Sequence, residues 1–279
     1  MSKRYLGAWI QAGLFNPLAA PTPSYTYELW SWGQNAQGQL GLGNTTYYSS
    51  PKQVGALTTW LNITAGLYYT LAIKTDGTLW SWGRNNFGQL GLGNRTDYSS
   101  PKQVGALTTW LNIAACYAST LAIKTDGTLW SWGYNVFGQL GLGNITKYSS
   151  PKQVGALTTW SKISAGFAHA LAIKTDGTLW SWGSNNYGQL GIGNVTYYSS
   201  PKQVGALTTW LNITAGLYHT LAIKTDGTLW SWGRSNYGQL GLGNRTNYSS
   251  PKQVGALTTW SKITAGYFHT LAIKTDGTL

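Results

Sequence analysis

The chain has 279 residues, of which 9% are charged, with 36 Gly, 16 Trp and a formal net charge of +12. Aromatic and aliphatic residues are too plentiful for a disordered chain, and the single cysteine, Cys116, excludes a disulfide framework and a Cys-rich metal site. No apolar run is long enough to span a membrane, and the positive balance favours anionic partners.

Residues 1–28 stand apart as an anchoring segment and linker. Lys3-Arg4 followed by Tyr5-Leu6-Gly7-Ala8-Trp9-Ile10 has the outline of a signal peptide, but Gln11, Asn16 and Pro17 interrupt its apolar part. The alternative is a short docking strand over Tyr5 to Ile10. Pro17, Pro21 and Pro23 then make an extended linker.

From residue 29 to the end, one 50-residue unit repeats without insertion. Trp30-Ser31-Trp32-Gly33 returns at Trp80, Trp130, Trp180 and Trp230, and 35 of the 50 columns are identical in all five copies. A fixed period of this size marks a solenoid or a propeller. Within a unit, Trp60 to Ala65 reads as strand A and Thr70 to Lys74 as strand B. Asp76-Gly77 reads as a two-residue hairpin turn. Thr78 to Trp82 is strand C, with alternating large residues. A Gly-rich loop follows through Gly88, Gly91 and Gly93. Pro101 to Val104 is strand D, with proline at its start. Four short antiparallel strands per unit are the content of a propeller blade, so the fold class expected is an all-β propeller.

Trp-Gly-x-Asn-x-x-Gly-Gln-Leu-Gly, then Ile-x-Ala-Gly-x-x-His-Thr-Leu-Ala-Ile-x-x-Asp-Gly, resembles the repeat of the regulator of chromosome condensation (RCC1) family over residues 29–279. The resemblance implies a β-propeller of four-stranded blades, usually seven. Five units are present here. The chain enters its first unit at Leu29-Trp30 and reaches Gly277-Thr278-Leu279 in mid-blade, so five blades closed by pairing of the N- and C-terminal strands are expected. An open arc, or a ring completed by other subunits, is the alternative. Lys3-Arg4-Tyr5-Leu6-Gly7 resembles the leader of some marine phage virion proteins, which implies a virion or extracellular-surface setting, with residues 1–28 docking onto other virion or surface proteins. A cytoplasmic setting is the alternative.

An antiparallel meander puts the A–B and C–D loops on one face, and the B–C turn and D–A connection on the other. Nearly all variable columns fall on the first face. They supply the candidate binding residues: Tyr68, Tyr69, Tyr117, Phe167, His169, Tyr218, His219, Tyr267, Phe268 and His269 from A–B loops, and Arg84, Phe87, Arg95, Tyr134, Arg234 and Arg245 from C–D loops. Aromatic and Arg side chains are the usual anchors of interfaces, and loops on a rigid scaffold carry function. Phe87, Phe137, Tyr187 and Tyr237 have a second reading, as packing between blades.

Catalytic chemistry is missing. Asp76, Asp126, Asp176, Asp226 and Asp276 are accounted for by turns. His169, His219 and His269 could ligate zinc if they converged, but they fall in different units, and the family resemblance makes that column structural. No cofactor motif is present. The expected function is non-enzymatic recognition or adhesion, binding a host glycan or protein, anionic by preference, through the variable face. A purely structural decoration protein is the first alternative. A regulator binding protein or nucleic acid, as the resemblance implies, is the second.

Overall fold

The computed structural model describes residues 27–275. The strand expected near Tyr5 and the turn at 276–279 lie outside the described residues. Twenty strands repeat one pattern. β1 (Trp30–Gly33) and β2 (Tyr48–Gln53) form a two-stranded sheet. β3 (Trp60–Ala65), β4 (Tyr69–Lys74), β5 (Leu79–Gly83) and β6 (Tyr98–Gln103) form the first complete sheet. The second is β7 (Trp110–Ala115), β8 (Ser119–Lys124), β9 (Leu129–Gly133) and β10 (Tyr148–Gln153). The third is β11 (Trp160–Ala165), β12 (His169–Lys174), β13 (Leu179–Gly183) and β14 (Tyr198–Gln203). The fourth is β15 (Trp210–Ala215), β16 (His219–Lys224), β17 (Leu229–Gly233) and β18 (Tyr248–Gln253). β19 (Trp260–Ala265) and β20 (Thr270–Lys274) close the series as another two-stranded sheet. The expected pairing of β20 with β1 is therefore not made in this structure.

Each complete sheet is an antiparallel meander in sequence order. Neighbouring sheets meet through their A strands, with β3 against β7, β7 against β11, β11 against β15 and β15 against β19. The face assignment follows from two backbone hydrogen bonds. Arg84 N donates to Tyr68 O at 2.9 Å, tying the C–D loop to the A–B loop, and Thr75 N donates to Thr59 O at 2.9 Å, tying the B–C turn to the D–A connection.

Local chemistry corrects three expectations. Strand D starts earlier, at Tyr98, and takes Pro101 inside it. β6 is the outermost strand and pairs only with β5, with a register shift between Ser81 and Gly83, so the missing proline N–H costs no ladder bond. Strand B also starts one residue early, at Tyr69, which takes the last variable A–B position off the loop. The B–C turn has a three-residue loop. Gly77 N bonds Lys74 O at 2.9 Å and Lys74 N bonds Thr78 O at 3.0 Å. Among the described residues none other than glycine has positive φ, so the left-handed step falls on Gly77 alone. Asp76 Oδ1 accepts from Thr78 N at 2.9 Å and Thr78 Oγ1 at 2.6 Å. These bonds hold its carboxyl below the usual range.

The core lies between sheets rather than within them. Leu71, Ile73, Leu79 and Val104 of one sheet pack against Trp110, Ile113, Ala122 and Trp132 of the next. The Gly-Gln-Leu-Gly loop clasps the following sheet. Gln89 O accepts from Thr120 Oγ1 and Trp132 Nε1, both at 2.9 Å. The same carbonyl bond to tryptophan recurs from Trp82 to Gln39, Trp182 to Gln139 and Trp232 to Gln189. At the opposite face the B–C turn abuts the next D–A connection so closely that a Cβ on Gly127, at φ +75, would lie 2.1 Å from Thr158 O. Gly127→Ala should therefore lower stability by roughly 3 kcal/mol, combining left-handed strain with a backbone clash. A urea midpoint unchanged within error would refute this account of the turn.

Candidate binding face

The half-buried loop residues of the variable face form one belt of rings running from sheet to sheet. Phe87 lies 4.8 Å from Tyr134 between ring centroids, and Tyr134 lies 6.2 Å from Tyr117. Tyr117 reaches Phe167 at 4.7 Å, Phe167 reaches Tyr218 at 5.9 Å, and Tyr218 reaches Tyr187 at 5.1 Å. The Arg234 guanidinium then links this strip to the rings of the last loops. It stands 4.9 Å from the Tyr187 ring, 5.8 Å from Tyr218, 5.7 Å from Tyr237 and 5.6 Å from Phe268. Phe268 packs on Tyr237 at 5.2 Å and on Tyr267 at 6.4 Å. The rings meet edge-on or tilted, the orientations their quadrupoles favour. Lys147 Nζ adds a cation 5.1 Å from Phe87 and 5.2 Å from Tyr134. Arg84 lies over Tyr68 at 5.6 Å. Partial burial, with the neighbouring Tyr117 as a smaller effect, raises the Tyr134 hydroxyl above its ordinary range.

Of the loop residues named from the sequence, the belt brings together Phe87, Tyr117, Tyr134, Phe167, Tyr218, Arg234, Tyr267 and Phe268, while Tyr68 and Arg84 form a separate pair. Arg95 and Arg245 are exposed, and among the described residues neither makes a ring contact. Tyr69, His169 and His219 are corrections. They are 1%, 1% and 0% exposed, because the column they share is the first residue of strand B and points between sheets. Tyr69 Oη donates to Ser119 O at 2.6 Å. His169 Nε2 lies 3.2 Å from Thr220 Oγ1, and His219 Nε2 lies 3.3 Å from Thr270 Oγ1. This column carries inter-sheet hydrogen bonds and is not available to a partner. His269 stays exposed, on the sheet with no complete sheet beyond it. Burial pushes the imidazole of His169 down to about 3 and that of His219 to about 4, the next histidine in the column adding a smaller repulsion to each.

Lys147 and Tyr197 were missed as candidate binding residues, and Phe137, Tyr187 and Tyr237, placed in the variable loops, were left out of the candidates. Phe137 contacts Tyr134 at 6.4 Å and Tyr197 at 5.8 Å. Their signal was present: Lys147 and Tyr197 occupy the variable column of Tyr47 and Asp97. Phe87 and Tyr187 both pack across a junction and stay half-exposed, so the two readings of that column hold together.

Three comparisons bear on the fold and its family. Residues 28–279 match the sequence family described as RCC1-like domain. The chain belongs to the RCC1-like domain family. No curated protein matches it by sequence. Among solved structures, this RCC1-like chain is similar to human WBSCR16, with 23% identity and a TM-score of 0.77, over 88% of this chain and 67% of that one. It is similar to Prp20p of Saccharomyces cerevisiae, a structure described with its binding to Gsp1p and histones, with 23% identity and a TM-score of 0.80, over 91% of this chain and 65% of that one. It is also similar to yeast RCC1 (Prp20) bound to Kap60, with 20% identity and a TM-score of 0.76, over 97% and 71%. The chain spans about two thirds of the length of each of these three structures.

Proposed function

We propose that this RCC1-like chain is a non-enzymatic recognition module that binds a host glycan or protein through its variable loop face, on a particle or cell surface to which residues 1–28 attach it. The observation that supports this most is the belt itself. Positions that differ between otherwise identical repeats supply a connected strip of Tyr, Phe and Arg, half-exposed, on one face. Aromatic rings lose little freedom on binding, and together with a guanidinium they offer both apolar area and hydrogen bonds. Arg234 is central to it, touching four rings with its Nε buried and without a hydrogen bond.

The test is binding of labelled full chain to a panel of glycans and intact cells, beside Arg234→Ala and Tyr117→Ala. A loss of about tenfold or more in each is expected for residues at the centre of an interface. Saturable binding that both variants retain in full would overturn the reading. The structural alternative draws on the 35 identical columns, and it predicts no saturable binding to any member of the panel.

The proposed fifth blade rests on matching halves. β16 and β17 pair with Ile223 opposite Leu229, Ala222 opposite Trp230 and Thr220 opposite Trp232. β20 and β1 carry the same residues at Ile273 and Leu29, Ala272 and Trp30, Thr270 and Trp32. β19–β20 and β1–β2 are thus complementary as the inner and outer halves of one blade.

A further inference from the structure

The constant face carries exposed residues that packing does not require. Leu57, Leu107, Leu157, Leu207 and Leu257 stand in the D–A connections, each between 46% and 50% exposed. Each adjoins a junction between sheets. At the first junction Leu57 lines a cavity of about 390 Å³ with Leu42, Gln53, Trp60, Lys74 and Trp80. At the junction between the third and fourth complete sheets, Leu207, Ile192, Gln203, Trp210 and Trp230 line a cavity of about 420 Å³ in the equivalent place. The intervening junctions repeat these residues at Leu107, Trp110 and Trp130, and at Leu157, Trp160 and Trp180.

Two polar groups at these places lack an oxygen partner. Lys74 is 8% exposed, and its Nζ lies 3.7 Å from the Trp80 ring centroid and 5.0 Å from that of Trp60. Lys124 and Lys224 repeat its exposure and its position over Trp130 and Trp230. Among the described residues no carboxylate forms a salt bridge with these ammonium groups. The indole N–H groups of Trp60, Trp110, Trp160 and Trp210 are likewise buried without a hydrogen bond. Ring faces hold the cation, whose only nearby charge among the described residues is the turn carboxylate of Asp76, with Asp126 and Asp226 in the same role for Lys124 and Lys224; an ammonium partly withdrawn from water without a salt bridge and a buried donor without an acceptor both leave binding energy unused.

We infer that the sheet junctions of the constant face are a series of equivalent pockets for the acidic sugar residues of a repeating anionic polysaccharide. Leucine and indole carbons meet the C–H face of the sugar. The lysine ammonium takes its carboxylate or sulfate, and the Gln53-type amide takes a hydroxyl. Sites repeated at one spacing suit a ligand that itself repeats, because linked weak contacts multiply. The net charge of +12 favours the approach of such a polymer. The variable-face proposal is independent of this one, since none of the rings or arginines of the belt lines these cavities.

The full chain is titrated with polygalacturonate, dextran sulfate and uncharged dextran. Binding of at least one acidic polymer and none of dextran is expected, and the polymer bound distinguishes carboxylate from sulfate. A variant with Lys74→Met, Lys124→Met, Lys174→Met and Lys224→Met should lose about tenfold or more in affinity, as expected for removed charge-assisted contacts. The charge-matched control replaces Lys52, Lys102, Lys152 and Lys202 with Met; these side chains are exposed on the outer strands, and the loss should stay under about threefold. Should the first variant fold poorly, Ser at Leu57, Leu107, Leu157 and Leu207 tests the exposed rim with the same expected loss. Arg234→Ala should leave polymer binding unchanged. Equal losses in the two lysine variants, full binding by the rim variant, or no binding of either acidic polymer overturns the inference.

Discussion

Lowering the pH from 7 to 5 should cost the protein roughly 3 kcal/mol of stability through His169 and His219 alone. Both rings are buried between sheets, each against the threonine of the next sheet, and burial holds the imidazole at about 3 for His169 and about 4 for His219. The folded state therefore refuses protons that the unfolded chain accepts below about 6.5. The direction follows from linkage: the contribution is intact above the unfolded value, declines as the pH falls through it, and levels off near the depressed folded values. His169→Gln with His219→Gln keeps a hydrogen-bonding group and removes the titration. That double variant should cost about 1 kcal/mol at pH 7 for imperfect replacement of two bonds, yet show a nearly flat urea midpoint between pH 7 and 5. A wild-type midpoint that does not move over the same range would show that the two rings are not desolvated. The first two copies supply a natural comparison, since Tyr69 and Ser119 fill the same column with groups that do not titrate near neutrality.

The blade was legible because its signals are local. Alternation in Leu79-Trp80-Ser81-Trp82, glycine after Asp76 and the fixed period require no knowledge of neighbours. The assignment of loops to faces was also legible, since an antiparallel meander leaves no choice. Errors arose where a single residue of register decides burial. Tyr69, His169 and His219 look like loop residues in sequence, but strand B begins on them, and one step along a strand exchanges solvent for core. The Asp76-Gly77 pair showed a turn but not its type, which depends on whether Asp76 takes positive φ. The pairing of β20 with β1 depends on the angle through which each sheet turns from the last. That angle is set by contacts such as the Gln89 clasp on Thr120 and Trp132, and no column of the repeat states it. The belt was half legible for a related reason. Its members could be found as variable columns, but their continuity depends on rings from loops 50 residues apart meeting across a junction.

Trp182→Ala should cost about 3–5 kcal/mol, the range for deleting a large buried ring, whereas Trp32→Ala should cost less than about 1 kcal/mol wherever β19–β20 does not cover β1. The two residues lie in identical local sequence, Leu-Trp-Ser-Trp-Gly. Trp182 is fully buried, donates from Nε1 to Gln139 O at 3.0 Å, and fits so closely that a Cβ on Gly141 would lie 2.8 Å from it. Its loss would leave a cavity, an unmatched carbonyl and a weakened clasp between two sheets. Trp32 is 58% exposed. Among the described residues, the clasp that would receive it, around Gly238 and Gly241, meets no tryptophan: none lies within 4 Å of a Cβ on Gly238, and only Val254 Cγ1, at 3.4 Å, near one on Gly241. The difference between the two variants therefore isolates tertiary burial from propensity, which is the same for both. It also reads the pairing of the half-sheets in solution. If Trp32→Ala costs as much as Trp182→Ala, β1 is covered as β13 is, and β19–β20 is the half-sheet whose residues fit that place. A cost that does not vary with protein concentration would then put the pairing within one chain, and a cost that grows with concentration would put it between chains, because association contributes to stability by mass action.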